Sequence, residues 1–248
     1  MDHENERDQF EALGVMYEEM FLLPWRKHLE SFSVFASLGD VAGKDVLDIG
    51  CGTGLYSRQL KQRGAARVVG YDVSTGMIEI ARQAERVEPL GIEYTEQTGL
   101  IGEGAFDTAL AVYVLPYAED YQTLVSLCTL ASRALRPGGR FVTLPVNPGF
   151  HGDRTYYQRY GLRLAEAEPR RDASRVTLEL CFGDYDERIT ARYWSKETLE
   201  KALREAGFVS ISWPVFQVSE EGVARHGKDF WLPYLNCPHA ALISCTKA

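Results

Sequence analysis

The sequence predicts an α/β fold in which helices cover both faces of a parallel sheet. From residue 45 to residue 146, short apolar strands alternate with helical segments, and a glycine-rich turn joins the first strand to the first helix. Strands that are buried on both faces of a parallel sheet read as short apolar runs, and helices connect them. The 248 residues exceed what such a core needs, so additional segments must flank it or be inserted in it.

The first 38 residues are predicted to be helical and to precede the sheet. Apolar residues recur at helical spacing between Phe10 and Phe21. Pro24 interrupts this pattern, which resumes from Trp25 to Leu38. We expect residues 1–38 to form a lid over a domain that spans residues 39–248.

The core alternates strands with helices whose ends carry local signals. The predicted strands are Asp45–Gly50, Arg67–Tyr71, Gly91–Thr95, Phe106–Val112 and Arg140–Val146. The predicted helices are Leu55–Arg63, the segment from Ser74 to about Val87, and Tyr121–Leu135. Gly64 suits the end of the first helix, Ser74 suits the cap of the second, and Pro137-Gly138-Gly139 stops the third.

The alternation changes after Pro148 and resumes near residue 195. Within an insertion at residues 149–192, Arg175–Phe182 and Glu187–Trp194 alternate as strands do, and the turn at residues 183–186 predicts a hairpin. This small antiparallel unit is the predicted cap. Beyond it we expect a helix at Lys196–Ala206, a strand at Phe208–Trp213, a loop at residues 214–238 and a final strand at Ala240–Thr246.

Charge and cysteine content restrict the classes of partner. The formal net charge is −8, and residues 1–40 contain nine acidic residues against three basic ones, so no surface for nucleic acid is indicated. No apolar run is long enough for a transmembrane helix, and the polar N-terminus is unlike a signal peptide. The five cysteines are far apart and form no Cys-x-x-Cys pair, which favours reduced thiols in the cytoplasm and no metal site.

The glycine-rich turn indicates the cofactor. Gly50, Gly52 and Gly54 lie between a strand and a helix, where the backbone can approach a ligand closely. Asp48 comes two residues before the first glycine, where its carboxylate repels a pyrophosphate and attracts an ammonium group. Asp72 follows the second strand, 22 residues beyond Gly50, where an acid accepts two ribose hydroxyls. An adenosine that carries an amino acid satisfies both carboxylates, and S-adenosylmethionine (SAM) is such a molecule.

The segment from Gly43 to Val146 resembles the class I SAM-dependent methyltransferases, which share the glycine turn and the pattern of Ala134–Val142. Motifs along nearly the whole chain look like those of small-molecule methyltransferases grouped with the toxoflavin-biosynthesis N-methyltransferase. They include Pro24-Trp25-Arg26, Tyr113–Tyr117, Asn147-Pro148 and Tyr193-Trp194-Ser195. The resemblance implies a Rossmann-like, seven-stranded sheet whose last strand is antiparallel to the others.

The resemblance also implies cofactor-binding residues around the turn and the two acids. Relatives usually have an aspartate after the third strand that binds the adenine, and here either Gln97 or Thr98 could replace it. Arg26 would bind the carboxylate of the cofactor. The complete predicted set is Tyr17, Arg26, Asp48, Gly50, Cys51, Gly52, Gly54, Asp72, Val73, Met77, Gln97, Thr98 and Tyr113.

Aromatic residues predict the kind of methyl acceptor. Ligands of open α/β sheets bind at the carboxyl ends of the strands, and many aromatic residues follow strands or lie in segments that can fold over that edge. They indicate a flat, weakly polar aromatic or heterocyclic acceptor. The predicted acceptor-binding residues are Trp25, Tyr117, Asn147, Phe150, Tyr157, Trp231 and Asn236.

Methyl transfer is an in-line displacement that depends on proximity and on the exclusion of water. A neutral nitrogen acceptor needs no base, whereas a hydroxyl needs one, and His151 and Tyr117 are the candidates. Nitrogen is slightly favoured over oxygen because the sequence offers no decisive base. The alternatives are an O-methyltransferase with a His or Tyr base, a SAM-binding sensor and, more remotely, an NAD-dependent oxidoreductase. We expect a monomer or homodimer without a nucleic acid or membrane partner.

Overall fold

A seven-stranded sheet lies at the centre of the structure, a computed structural model that describes residue 14, residues 16–166 and residues 170–248. The strands of these residues are β1 Asp45–Ile49, β2 Arg67–Tyr71, β3 Ile92–Thr95, β4 Phe106–Val112, β5 Leu135–Leu144, β6 Leu162–Glu166, β7 Arg175–Phe182, β8 Tyr185–Arg192, β9 Phe208–Ser212 and β10 Ile243–Lys247. The central sheet has the order β3-β2-β1-β4-β5-β10-β9. The pairs from β3 to β5 are parallel, and β10 is antiparallel to both of its neighbours. The predicted seven-stranded, mostly parallel sheet is confirmed.

Helices cover both faces of this sheet. They are α1 Ser31–Leu38, α2 Leu55–Gln62, α3 Thr75–Val87, α4 Tyr121–Ala134, α5 Lys196–Glu205, α6 Glu220–His226 and α7 Lys228–Asn236. On one face α1, α2 and α3 contribute Leu38, Leu60 and Ile78 to an apolar cluster. On the other face α4 and α5 contribute Leu124 and Leu199 to a second cluster. Because both faces are covered, the central strands β1, β2 and β4 bury most of their residues, as the sequence indicated.

Serine caps place two of the helices where the sequence predicts them. The hydroxyl of Ser74 accepts a hydrogen bond from the N–H of Met77 at the start of α3. The hydroxyl of Ser195 accepts one from the N–H of Thr198 at the start of α5. Each cap satisfies a backbone donor that the first turn of the helix leaves unpaired.

The predicted boundary between α4 and β5 is wrong. The helix ends one residue early and the strand begins at Leu135, so Pro137-Gly138-Gly139 lies inside β5 rather than before it. Leu135 pairs with Phe106, and the register then shifts before Arg140 pairs with Thr108. The irregular register accommodates the glycine turn within the strand.

The prediction of a loop at residues 214–238 is also wrong, because α6 and α7 form there. Ser219 caps α6 by accepting a hydrogen bond from the N–H of Gly222. Pro233 lies inside α7, which argues against a helix when the sequence is considered alone. The helix nevertheless buries Trp231 and Tyr234 completely, and the burial of two large aromatic side chains offsets the hydrogen bond that the proline removes.

The N-terminal segment packs against the same core as the sheet. Residues 16–21 are helical, and Arg26–Glu30 form a π-helical turn that continues into α1. Trp25 and Leu29 are buried in the apolar cluster to which α1, α2 and α3 also contribute side chains. The helical prediction for residues 1–13 lies outside the described residues, and the function of this segment as a lid stays a prediction.

The insertion after β5 forms the predicted antiparallel cap. β6, β7 and β8 form a separate three-stranded sheet in that order. The hairpin turn is shorter than predicted, since β8 begins at Tyr185 and only Gly183-Asp184 connects it to β7. Leu162 of β6 and Leu180 of β7 face the cluster that contains the aromatic residues of α7. Among the described residues, no helix is long and apolar enough to cross a membrane.

Candidate active site

Three glycines in the left-handed region of the backbone shape the turn between β1 and α2. The φ angle is +65° at Gly50, +54° at Gly52 and +82° at Gly54. A Cβ atom at Gly50 would overlap the side chain of Val114, and one at Gly54 would overlap the hydroxyl of Tyr94. A Cβ atom at Gly52 would meet no atom within 4 Å. The turn is therefore packed at its two ends and open in its middle, where a ligand can approach the backbone.

Asp48 lies beneath this turn and is only 2% exposed. Its Oδ2 accepts a hydrogen bond of 2.6 Å from the hydroxyl of Ser57 in α2. Burial raises the pKa of Asp48 to about 7, and the nearby charge of Asp72 acts in the same direction. A ligand ammonium group would stabilise the ionised carboxylate, so the position suits a cationic group of the ligand.

Asp72 lies at the carboxyl end of β2 and faces the middle of the same turn. Its Oδ2 accepts a hydrogen bond of 2.8 Å from the N–H of Gly52, and its Oδ1 accepts one of 2.9 Å from the N–H of Ser74. Each carboxylate oxygen can accept more than one hydrogen bond, so both remain able to accept from a ribose diol. The two backbone bonds hold the carboxylate beside the open part of the turn.

Exposed apolar and amide groups adjoin Asp72 at the ends of β2 and β3. Val73 is 80% exposed, and Met77 in the first turn of α3 is partly exposed. Gln97 and Thr98 follow β3 and are exposed. The N–H of Asp72 donates to the carbonyl of Thr95, the last residue of β3, so the ends of β2 and β3 lie side by side. A flat base with polar edges finds an apolar surface and hydrogen-bonding groups here. The donor set of the edge therefore fits an adenosine.

Cys51 and Tyr113 complete the edge on the side of β1 and β4. The N–H of Cys51 donates to the carbonyl of Tyr71, which ties the glycine turn to β2. Burial raises the pKa of the Cys51 thiol, which is therefore a neutral part of the wall. Tyr113 follows β4 directly and has a φ of +59°, a strained value for a residue other than glycine.

Arg26 and Glu30 form a buried ion pair behind this edge. Arg26 Nη1 lies 2.8 Å from Glu30 Oε1, and both side chains are nearly inaccessible to solvent. The guanidinium also lies 5.5 Å from the ring of Trp25 and 5.6 Å from the ring of Tyr113. Burial alone would lower the pKa of Arg26, but Glu30 and the neighbouring tyrosines outweigh it and raise that pKa. Arg26 Nε is buried without a hydrogen-bond partner among the described residues.

The N-terminal helical residues contact both the glycine turn and the segment that follows β4. Glu18 Oε1 accepts hydrogen bonds of 2.8 Å from the Thr53 hydroxyl and 2.6 Å from Arg58. The phenol of Tyr17 interacts with that of Tyr117, which follows β4, and the charges of Arg26 and Asp72 both act on it. Tyr17 is thus brought together with the predicted cofactor residues.

The predicted acceptor residues divide into packed and accessible ones. Trp25, Tyr157 and Trp231 are fully buried, and Phe150 is buried under the guanidinium of Arg170, 3.9 Å away. Tyr117 and Asn236 are exposed. The side chain of Asn147 is a local brace, since its amide donates to the carbonyl of Pro238 and its oxygen accepts from the N–H of Gly149.

The two candidate bases lie in different surroundings. His151 is exposed and stacks on Tyr156 at 4.0 Å, and its Nδ1 accepts a hydrogen bond from the N–H of Asp153. Tyr117 is 54% exposed, lies in the turn that follows β4, and its phenol interacts with Tyr17 and with the charge of Asp72. Of these two groups, the contacts bring Tyr117 to the predicted cofactor residues.

Sequence reasoning missed several residues of this region. Glu30, His239 and Tyr234 form a buried polar group with Tyr113, and Tyr94 supports the glycine turn from below. Gly70 in β2 was the available signal for Tyr94, because a Cβ atom at Gly70 would overlap that ring. Arg26, four residues before Glu30 in a helical segment, was the available signal for Glu30, because side chains at this spacing can form an ion pair.

Comparison with known proteins identifies the family. A family model described as a methyltransferase domain matches residues 47–143, which run from β1 through the glycine turn to β5. A demethylmenaquinone methyltransferase of Tropheryma whipplei (strain Twist) is 32% identical over 190 residues, covering 76% of this chain and 75% of that protein. The chain belongs to the SAM-dependent methyltransferases.

Two further proteins are similar to this chain over two thirds of its length or more. An N-demethylindolmycin N-methyltransferase of Streptomyces griseus is 28% identical over 171 residues, covering 67% of this chain and 70% of that protein. A SAM-dependent methyltransferase of Mesorhizobium loti shares the fold with a TM-score of 0.63 at 22% identity, covering 92% of this chain and 100% of that one. Because the chain belongs to the SAM-dependent methyltransferases, its cofactor is SAM, and the alternative of an NAD-dependent oxidoreductase is excluded.

Proposed function

We propose that the enzyme transfers a methyl group from SAM to a nitrogen or oxygen atom of a small aromatic or heterocyclic metabolite. The observation that carries this proposal is the aromatic wall at the carboxyl edge. Tyr17 is partly exposed and Tyr117 is exposed, their phenols interact with each other, and the charge of Asp72 acts on both. Rings of this kind favour a flat acceptor over a flexible polar one.

The names of two relatives agree with a small molecule as the methyl acceptor. The relatives from Tropheryma whipplei and Streptomyces griseus are named for demethylmenaquinone and N-demethylindolmycin, which are small molecules. We also propose the narrower similarity to the toxoflavin-biosynthesis type of enzyme, on the motifs at Trp25-Arg26 and Tyr113–Tyr117.

Each part of SAM has a proposed partner at the edge. Asp72 accepts from the ribose hydroxyls, and Val73, Met77, Gln97 and Thr98 contact the adenine. Asp48 faces the amino group across the glycine turn. Arg26 binds the carboxylate through the Nε atom that lacks a partner, in addition to its pair with Glu30.

Catalysis then rests mainly on placement. SAM supplies an electrophilic methyl group on a sulfonium. The chain holds the acceptor in line with that methyl group and excludes water, for which the N-terminal residues 1–38 and the cap at residues 149–192 are the proposed covers. Tyr117 and His151 are proposed to contact the bound acceptor.

A mass-shift screen tests the proposal directly. Purified enzyme and SAM are incubated with a metabolite extract and with hydroxyquinolines and aminoquinolines, and products are sought that gain one methyl group. Asp72→Ala should strongly reduce the gain at limiting SAM, whereas Glu103→Ala should retain it, because Glu103 precedes β4 at the opposite edge of the sheet. If only a protein or nucleic acid acquired methyl groups, the proposal would be wrong.

A further inference from the structure

Six polar side chains form one hydrogen-bonded group behind the carboxyl end of β4. They are Arg26, Glu30, Tyr56, Tyr113, Tyr234 and His239. Five of the six are buried, and Tyr113 alone is partly exposed. Tyr113 is also the residue that leads from β4 into the cofactor edge. The ring of Tyr113 therefore joins the group to the active-site edge, while its phenol oxygen is held within the group by Glu30 and His239.

The direction of the hydrogen bonds can be derived from the donors and acceptors present. Glu30 as a carboxylate only accepts, so the hydroxyls of Tyr56 and Tyr113 both donate to it. Tyr113 has a single proton, so its oxygen must accept from His239 Nε2 at 3.2 Å. Burial, followed by the charge of Arg26, lowers the pKa of His239 to about 3, so the ring is neutral. Nδ1 of His239 therefore carries no proton and accepts from the Tyr234 hydroxyl at 2.6 Å.

In this series of hydrogen bonds, each donor lies farther from Glu30 than its acceptor. Tyr234 donates to His239, His239 donates to Tyr113, and Tyr113 donates to Glu30. The carboxylate is consequently the place to which protons can move, and the phenol of Tyr113 is the step before it. Arg26 lies against both groups and stabilises negative charge that develops on the phenol.

We propose that Tyr113 and Glu30 form a proton relay for an acceptor hydroxyl, with His239 as the residue that positions Tyr113. This inference rests on the proposed methyl transfer to a small acceptor and narrows the acceptor to one that loses an O–H proton. A hydroxyl group needs such a base, whereas a neutral amine does not.

The step balances within the groups named. The acceptor oxygen forms a bond to the methyl carbon while its proton moves to the Tyr113 oxygen. The proton of Tyr113 moves to Glu30 Oε2, which becomes a carboxylic acid. The carbon–sulfur bond breaks and its electron pair stays on sulfur. One positive charge on sulfur and one negative charge on Glu30 are lost together, so the net charge of the buried site is unchanged.

A pair of tyrosine variants tests the relay in the full-length enzyme. Tyr113→Phe should lower kcat for a hydroxyquinoline about 10²–10⁴-fold, the usual contribution of acid–base catalysis, and leave KM and the affinity for S-adenosylhomocysteine (SAH) within about threefold. Tyr56→Phe removes the other phenol from Glu30 without contact to His239, so its smaller effect measures the loss of a structural hydrogen bond. Equal kcat losses in both variants, or an unchanged kcat in Tyr113→Phe, would overturn the proposal.

The protonation of His239 provides a test that needs no acceptor. Nitrogen-15 spectra of the histidine-labelled enzyme at pH 7 should show a neutral ring with its proton on Nε2, assigned by the signal that His239→Gln removes. A proton on Nδ1, or an imidazolium, would refute the direction of the relay even if no acceptor were found. If the spectra agree but neither quinoline series nor the extract is methylated, the proposed function fails rather than the relay. If aminoquinolines are methylated equally by wild type and Tyr113→Phe and hydroxyquinolines are not methylated, the relay is wrong.

Discussion

The Asp48→Asn variant tests whether the acid beneath the glycine turn is held at an energetic cost. Asparagine has nearly the same size, and its oxygen can still accept the 2.6 Å hydrogen bond from Ser57. The substitution removes the charge that burial disfavours. We expect the variant without cofactor to be more stable than wild type, and to bind SAH more weakly because the amino group loses its counter-charge.

The size of the effect follows from the pKa of Asp48. The pKa of Asp48 is about 7 in the folded protein, against 3.8 for a free aspartate side chain, so folding disfavours the ionised form. Stability from this group is complete below the unfolded pKa and falls as the pH rises through the folded one. The cost in the free energy of unfolding is about 2 kcal/mol at pH 5 and about 4 kcal/mol at pH 8. The gain in Tm from the variant should then be about 4–8 °C larger at pH 8 than at pH 5.

Calorimetry at the two pH values measures this difference, and Asp107→Asn is the control of opposite sign. Burial pushes the pKa of Asp107 upward, but the N–H of Asp45 and the guanidinium of Arg136 outweigh it and hold that pKa below its usual value. Its stabilisation is present at neutral pH and lost on acidification, so Asp107→Asn should lower Tm at pH 8. A Tm gain for Asp48→Asn that is the same at both pH values, or a loss at pH 8, would refute the reasoning.

Four further variants probe the turn and its surroundings. Gly52→Ala should cost about 1–2 kcal/mol of stability through its positive φ, yet remain folded and lose SAH binding in calorimetric titration. Gly50→Ala should lose both its stable fold and SAH binding, because its Cβ atom would overlap Val114. Equal melting temperatures of the Gly50 and Gly52 variants would contradict this geometry. Tyr94→Phe removes a buried hydroxyl that has no partner among the described residues, and urea unfolding should show a gain of about 1–3 kcal/mol. Asp72→Ala should weaken SAH binding by about 1.5–3 kcal/mol, and an unchanged Kd would contradict its assigned position.

The parts of the fold that the sequence predicted well depend on local signals. β2 has the predicted bounds, and Ser74 caps α3 as expected, because apolar runs and caps are encoded within a few residues. α7 was missed for the opposite reason. Its proline is a local signal against a helix, and the burial of Trp231 that stabilises the helix depends on contacts with distant segments.

The same distinction applies to the candidate site. The glycine turn and Asp48 lie within seven residues of one another, and Asp72 follows at a spacing that the strand–helix–strand unit dictates. The buried polar group cannot be found in this way. Its hydrogen bonds join Tyr113 to Glu30 across 83 residues and to His239 across 126 residues. Only the packing of four separate segments, which contain Glu30, Tyr56, Tyr113 and His239, creates it.

The hydrogen bonds of Glu18 with Thr53 and Arg58 have a consequence for the order of events in each turnover. They place the N-terminal helical residues over the turn that faces the cofactor. Since SAH is proposed to bind at this turn, beneath the residues that these bonds hold in place, we expect the bonds to break before it leaves. We therefore expect ordered steady-state kinetics in which SAM enters first and SAH departs last, with SAH competing against SAM but not against the acceptor. Glu18→Gln should then speed product release, and higher salt should act in the same direction on the wild-type enzyme.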